Sequence, residues 1–93
     1  MALYETIFIA RQDTAPSQVD SLIEKYSNII RELGGNVGKT EYCGLRTLAY
    51  PIRKNLKGHY VLLNITSPSA AVKEMERQMR ISEDLLRYLT CVV

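Results

Sequence analysis

The stretch His59–Thr66, HYVLLNIT, decides the fold of this 93-residue chain. Apolar and β-branched side chains fill it almost without interruption, which predicts a β-strand. Successive side chains of a strand point to opposite faces of a sheet. One face therefore carries Val61, Leu63 and Ile65, and the other carries Tyr60, Leu62 and Asn64. Apolar side chains lie on both faces of this predicted strand.

Five further elements are predicted on either side of it. Leu3–Ala10, Asn36–Ile52 and Leu85–Val93 are predicted strands, because each is rich in β-branched and aromatic residues. Apolar residues at three- and four-residue spacing predict a helix of about 17 residues that ends at Gly34-Gly35. Its stripe consists of Val19, Leu22, Ile23, Tyr26, Ile29, Ile30 and Leu33. A second helix is predicted to begin at Ser67-Pro68, with a stripe formed by Ala71, Val72, Met75 and Met79.

The order βαββαβ is the signature of a ferredoxin-like fold. We therefore predict an α+β protein with a four-stranded antiparallel sheet and two helices on one of its faces. The length allows a single domain that spans residues 1–93.

Three local features refine this prediction. Gly38 and Gly44 lie inside the long second strand, where glycine often marks a bulge. Residues 52–57 are predicted to form a basic turn before the third strand. Ser67 and Ser69 are interpreted as helix caps.

Composition excludes several classes of protein. The chain is 46% hydrophobic and 24% charged, which is typical of a globular fold. No stretch approaches the roughly 18 apolar residues of a membrane span, and the first residues do not resemble a signal peptide. We therefore expect a reducing compartment, in which Cys43 and Cys91 are small apolar fillers without a disulfide or a metal.

The helix-free face of the predicted sheet points to a partner. Two helices can cover only one face, while three of the four strands are apolar on both sides. Each large apolar side chain left in water forgoes about 1.5–3 kcal/mol. Contiguous patches of this kind usually mark an interaction surface, although a dimer or scattered apolar residues would also fit.

A basic hairpin lies beside that face. Between Tyr42 and Val72 the chain contains no acid, although its net charge is only +2. The cations of this stretch are Arg46, Arg53, Lys54 and Lys57. Such cations could contact phosphates, and Tyr42, Tyr50 and Tyr60 could stack on unpaired bases. A solvated hairpin tip is an equally simple interpretation of the composition.

The sequence contains few residues that are suited to catalysis. His59 is the only histidine, and the carboxylates form no evident pair in a cleft. We predict no catalytic residue, no metal ligand, no cofactor and no small-molecule substrate. An RNA-recognition domain shares the same order of elements, but its two stacking positions would be His59 and Val61 rather than two aromatics. A self-associating sheet protein and a small hydrolase that uses Arg11 are further alternatives.

The second and third strands carry a specific resemblance. Residues 44–54, GLRTLAYPIRK, followed by Gly58-His59-Tyr60, resemble the signature hairpin of the bacterial small-subunit ribosomal protein six family. Tyr4-Glu5, Met79-Arg80-Ile81 and Leu86-Arg87-Tyr88 are also similar to that family. Ala2–Asp13 and Met75–Leu89 look most like its alphaproteobacterial branch.

The resemblance implies a structural component of the small ribosomal subunit. Its expected partners are the central domain of 16S rRNA and ribosomal protein eighteen, and its expected location is the cytoplasmic ribosome or, alternatively, the mitochondrial one. The implied RNA contacts are Tyr4, Arg80 and Arg87, with Lys54 and Lys57 as weaker candidates. The implied contacts with the protein partner are Arg46, Leu48, Tyr50, Tyr60 and Leu62.

Overall fold

The computed structural model describes all residues 1–93 and contains six elements in the predicted order. These elements are β1 (Ala2–Arg11), α1 (Pro16–Glu32), β2 (Asn36–Ile52), β3 (Asn55–Ser67), α2 (Ser69–Ile81) and β4 (Leu85–Val92). The strands form one sheet in the order β2-β3-β1-β4, and every neighbouring pair is antiparallel. The ferredoxin-like prediction is confirmed.

Both helices cover the same face of the sheet. Phe8, Leu63 and Met75 are fully buried between the two layers. The stripe of α1 contributes Val19, Leu22, Tyr26 and Ile30 to this core. Leu33 does not follow the stripe and is 48% exposed, because the helix has ended and the residue occupies its C-cap. Gly34 then takes the left-handed conformation at φ 91° that stops the helix.

The start of α2 differs from the prediction. Ser67 remains in β3, where it pairs with Ala2, and its hydroxyl donates to the carbonyl of Pro68 at 2.9 Å. Pro68 is the N-cap and Ser69 is the first helical residue, and no side chain caps the helix. The prediction of serine caps was wrong, because pairing with β1 holds Ser67 in the sheet.

Three irregularities interrupt the long strand β2, and the glycines predict the first two. The register against β3 shifts between Val37 and Thr40, between Tyr42 and Gly44, and a third time between Thr47 and Ile52. Gly44 has φ 101°, a conformation that a side chain would strain. The strand is therefore divided into segments of different direction.

The turn between β2 and β3 is tighter than the predicted basic turn. Only Arg53 and Lys54 lie between the strands, because β3 begins at Asn55 rather than after Lys57. Both turn residues have positive φ, 49° and 66°, as a two-residue hairpin loop of this hand requires. For residues with side chains this conformation costs about 1–2 kcal/mol each.

The buried side chain of Asn55 stabilises that turn through hydrogen bonds. Its buried side-chain amide donates to the carbonyls of Ile52 and Arg53 at 3.3 and 3.0 Å. Its Oδ1 accepts from the backbone N–H of Gln12 at 3.2 Å, which ties the turn to the end of β1. One side chain therefore fixes both the shape of the hairpin tip and its position.

We expect Asn55→Ala to lower the free energy of unfolding by about 1–3 kcal/mol, because buried backbone groups lose their partners. Denaturant unfolding measures the change. Asn36→Ala, at an exposed asparagine in β2, is the matched control and should be nearly neutral. Equal losses in the two variants would contradict this role of Asn55.

We expect Tyr26→Phe to keep or raise stability at pH 7 by up to about 1 kcal/mol, because the buried hydroxyl makes no hydrogen bond of good geometry and the nearby Ser82 side chain offsets its burial only in part. Burial also raises the pKa of Tyr26 above its ordinary value. The stability that the neutral Tyr26 side chain contributes is present below the unfolded-state pKa of about 10. It is lost as the pH rises above that value, because the folded chain then resists loss of the proton. The advantage of the variant should therefore grow above about pH 10.

Candidate nucleic-acid and protein interface

The helix-free face of the sheet carries an apolar row across its middle. Ile7 of β1 pairs with Leu62 of β3 on one side and with Leu89 of β4 on the other. Ile7 is 40% exposed and Leu89 is 61% exposed, while Leu62 is half-buried. The predicted uncovered apolar face is therefore present.

Charges of opposite sign flank this apolar row. On one side Glu5 pairs with Asn64 and Cys91, one side-chain repeat from Ile7. On the other side Ile9 pairs with Tyr60 and Arg87. With a rise of about 3.3 Å per residue, the acidic and basic positions lie roughly 13 Å apart along the strands. The face therefore has an acidic end and a basic end.

The end of the β2–β3 hairpin, residues 48–56, bends across the basic end and is termed the arm. Tyr50 accepts a hydrogen bond from Arg87, whose guanidinium carbon lies 5.2 Å from the tyrosine ring centroid. Arg53 Nη1 donates to the carbonyl of Leu85 at 3.4 Å. These contacts reach from β2, at one edge of the sheet, to β4, at the other. The arm therefore covers part of the open face with the chain's own residues.

Gly58 allows β3 to lie close to β1 beneath the arm. A Cβ atom at this position would clash with Ile9 Cγ2 and lie 3.1 Å from the carbonyl oxygen of Ala10, whereas Leu48 Cδ2 would be at an ordinary contact distance of 3.6 Å. Leu48 is only 8% exposed, so it forms the underside of the arm. The glycine of the hairpin signature thus has a steric role.

Three arginines surround one shallow depression at the start of β4. Arg53 comes from the arm, Arg80 from the last turn of α2 and Arg87 from β4. Arg80 Nε donates to the Tyr88 hydroxyl at 3.3 Å. Tyrosines rather than carboxylates contact Arg80 and Arg87, and none of the three arginines belongs to an ion pair. The guanidinium groups are therefore held in place without a carboxylate to neutralise them. This arrangement is suited to binding phosphate.

The remaining predicted RNA contacts lie elsewhere. Lys54 is at the tip of the arm and Lys57 is exposed on β3, next to the arm. Tyr4 lies on the helix-covered side of β1, half-buried against the core near the start of α2. The structure does not bring Tyr4 to the arginine depression.

The predicted contacts with a protein partner are closer together. Tyr60 and Leu62 are half-buried on the open face, and Tyr50 lies over its basic end. Arg46 is exposed and donates to the carbonyl of Cys43 at 3.1 Å. Leu48 is the exception, since the arm already buries it.

Three residues of this surface were not among the contacts that the family resemblance implies. Ile7 and Leu89 complete the apolar row, and Arg53 completes the arginine depression. Strand alternation contained the signal for Ile7 and Leu89, because they share a face with Glu5 and Arg87. Arg53 belongs to the basic stretch that was predicted to contact phosphates, but its place beside Arg80 and Arg87 depends on how the arm bends.

The RNA-recognition alternative loses its stacking residues. His59 and Val61 are both buried on the helix-covered face, and His59 Nδ1 lies 2.8 Å from the Tyr42 hydroxyl. They cannot form a base-stacking platform there. Arg11 Nε lies 3.6 Å from an Asp13 carboxylate oxygen, in an ion pair at the surface.

The charges on α2 form a separate local pair. Arg77 donates to Glu74 with its Nη2 atom 2.6 Å from Oε1. These hydrogen bonds hold the pKa of Glu74 below its ordinary value and raise the pKa of Arg77. Each of the two groups therefore has its partner within the helix, and the pair lies outside the open face.

Neither helix has the length and apolar character needed to cross a membrane.

Comparisons with known proteins agree in sequence and in structure. A family model described as Ribosomal protein S6 matches residues 3–91. The small ribosomal subunit protein bS6 of Parvibaculum lavamentivorans is 67% identical over 90 residues, which cover 97% of this chain and 58% of that relative. The protein of the same name from Bartonella bacilliformis is 64% identical and is covered to 66%. The chain therefore spans less than two thirds of the length of these curated relatives.

A solved structure has the same architecture. The crystal structure of 30S ribosomal protein S6 from Thermotoga maritima matches with a TM-score of 0.92 and 27% sequence identity. The match covers 99% of this chain and 87% of that chain.

Proposed function

The chain belongs to the ribosomal protein S6 family, and from this premise we propose that it is a structural component of the small ribosomal subunit. In this proposal it binds the central domain of 16S rRNA together with ribosomal protein eighteen. The family is structural rather than enzymatic. The named relatives are bacterial, which favours the cytoplasmic ribosome of a bacterium over a mitochondrial one.

The observation that carries the proposal is the open face, which joins an apolar row to an arginine depression. An apolar row that includes Ile7 and Leu89 is suited to burial against another polypeptide. Oriented arginines without carboxylate partners are suited to the phosphates of RNA. The two surfaces meet at Tyr50 and Arg87, so a protein and an RNA could bind side by side.

The proposed RNA contacts are Arg80 and Arg87, joined by Arg53. Each guanidinium can donate two parallel hydrogen bonds to one phosphate, which a lysine cannot do. Lys54 and Lys57 would add charge at longer range. Tyr4 remains a separate candidate, because it lies on the other side of the sheet.

The proposed protein contacts are Tyr50, Tyr60 and Leu62, with Arg46 at the rim. Tyrosine and arginine are enriched at the energetic centres of interfaces. Leu48 supports the surface from beneath, by packing beside Gly58.

Cosedimentation tests the proposal as a whole. The tagged chain, expressed in its own cell, should sediment with the small subunit and be released by high salt. Its presence only in ribosome-free fractions would reject the proposal.

We expect Arg87→Ala to weaken binding to a 16S central-domain fragment by about 1 kcal/mol or more and to flatten the salt dependence by about one phosphate contact. Filter binding of the chain with its protein partner, at several salt concentrations, measures both quantities. Arg31→Ala, at an exposed arginine on α1, is the matched control and should leave both unchanged.

Tyr50→Ala separates a direct effect of Arg87 from an effect of the arm. This variant frees Arg87 without removing its charge, so its salt slope should match that of the unmodified chain. A slope that is unchanged in Arg87→Ala would remove this residue from the proposed contacts.

We expect Leu62→Asp to abolish binding to ribosomal protein eighteen, because the carboxylate would be buried without a partner in the middle of the apolar row. Calorimetric titration measures the affinity, and thermal melting verifies that the chain still unfolds cooperatively. Leu56→Asp, at a leucine of the arm that is 60% exposed, is the control. Retained binding by Leu62→Asp, or loss of cooperative melting, would show that the interface is placed wrongly.

A further inference from the structure

We propose that Glu5, at the acidic end of the open face, receives a cationic side chain of the polypeptide that docks on the apolar row. The docked segment would then have a fixed direction, with its basic end at Glu5 and RNA at the opposite, arginine end. This inference rests on the proposed function and names the chemistry of the partner at one position.

Glu5 lies in a concave part of the open face. A depression there includes Leu3, Glu5, Asn64 and Thr66, together with Gly38 of β2. The carboxylate is thus accompanied by a side-chain amide, a hydroxyl and an apolar wall. A lysine or arginine fits such a lining, because its stem can pack on Leu3 while its head contacts the oxygens.

The carboxylate of Glu5 has no intramolecular counterion. It belongs to none of the ion pairs of the chain, whereas the neighbouring acid on this face, Glu41, lies 3.8 Å from Lys39. Water solvates Glu5 in the free protein, where it is exposed. The charge is therefore available to a partner.

Docking on the apolar row would bury the charge of Glu5, so the docked polypeptide has to neutralise it. Glu5 is two residues from Ile7 on the same face, which corresponds to roughly 7 Å along β1. A polypeptide that covers the Ile7–Leu62–Leu89 row would also exclude water from Glu5. A buried carboxylate without a partner is strongly unfavourable, whereas a paired one is tolerated. The docked segment must therefore supply a cation at this point.

Other occupants fit the charges less well. RNA phosphate would be repelled by Glu5 and attracted to the arginines at the other end. A second copy of this chain could offer Arg87 to Glu5 by stacking face to face. That arginine is engaged by Tyr50, and the arm projects over the basic end of the face. A polypeptide segment with its own cation is the occupant that satisfies every feature of the surface.

The test uses the full chain, recombinant ribosomal protein eighteen, and the isosteric variant Glu5→Gln. Calorimetric titration at low, intermediate and high salt should show at least tenfold weaker binding for the variant at low salt and a smaller salt dependence. Glu83→Gln, at an exposed carboxylate between α2 and β4, is the matched control and should bind as the unmodified chain does. Unchanged affinity in Glu5→Gln would overturn the inference while leaving the proposed function intact.

A second measurement does not depend on the identity of the partner. Carbodiimide-activated labelling of carboxylates should modify both Glu5 and Glu32, an exposed carboxylate at the end of α1, in the free chain, but only Glu32 in intact small subunits. Glu5 that remains reactive in the subunit would overturn the inference. So would a homodimer that dissociates on Glu5→Gln. Failure of the unmodified chain to bind ribosomal protein eighteen would count against the proposed function, and protection of Glu5 would still support the inference.

Discussion

Two helices can cover one face of a four-stranded sheet, and this chain carries apolar side chains on both faces. Phe8 and Leu63 are sealed beneath the helices, whereas Ile7 and Leu89 on the reverse side are exposed to water. The exposure opposes the general tendency of apolar groups to leave water, and nothing else in the chain is long enough to remove it. The arm covers part of the exposed apolar area of the open face and leaves the rest in contact with water. The positions of the proposed protein contacts follow from this incomplete cover.

The arm also gives the open face its chemical character. Without it the basic end would be a flat extension of the sheet, with Arg87 free to move in solvent. With it, Arg53 and Arg87 are held by a carbonyl and a tyrosine, so less conformational entropy is lost when they bind a phosphate. The arm depends in turn on Asn55, which holds two left-handed residues in place, and the sheet beneath the arm depends on Gly58, which leaves room for Ile9. A few small or polar residues thus organise the charged part of the surface.

Much of this architecture could be predicted from the sequence, because it depends on local patterns. Strand alternation assigned Leu62 and Val61 to the correct faces, and the glycines of β2 marked its bulges. The hairpin signature identified the family, which the comparisons confirm. The tight turn at Arg53 and Lys54 was missed, because neither residue is a usual carrier of positive φ.

Contacts between distant elements could not be predicted from local sequence patterns. The meeting of Tyr50 with Arg87 joins residues 37 positions apart, across two intervening strands. Sequence spacing gives no measure of such a distance. For the same reason Tyr4 was grouped with arginines that lie on another part of the molecule. The individual roles of these residues remain predictions.

The irregular course of β2 has a consequence for the behaviour of the molecule at high concentration. This strand is an outer strand of the sheet, so its unpaired N–H and carbonyl groups face solvent. A long, straight strand with such groups is a template on which further chains can add and eventually form fibrils. The three register shifts interrupt that template, and the charges of Lys39 and Glu41 lie at the first of them and directly after it. The same bulges that shape the hairpin thus help to keep separate molecules from joining edge to edge.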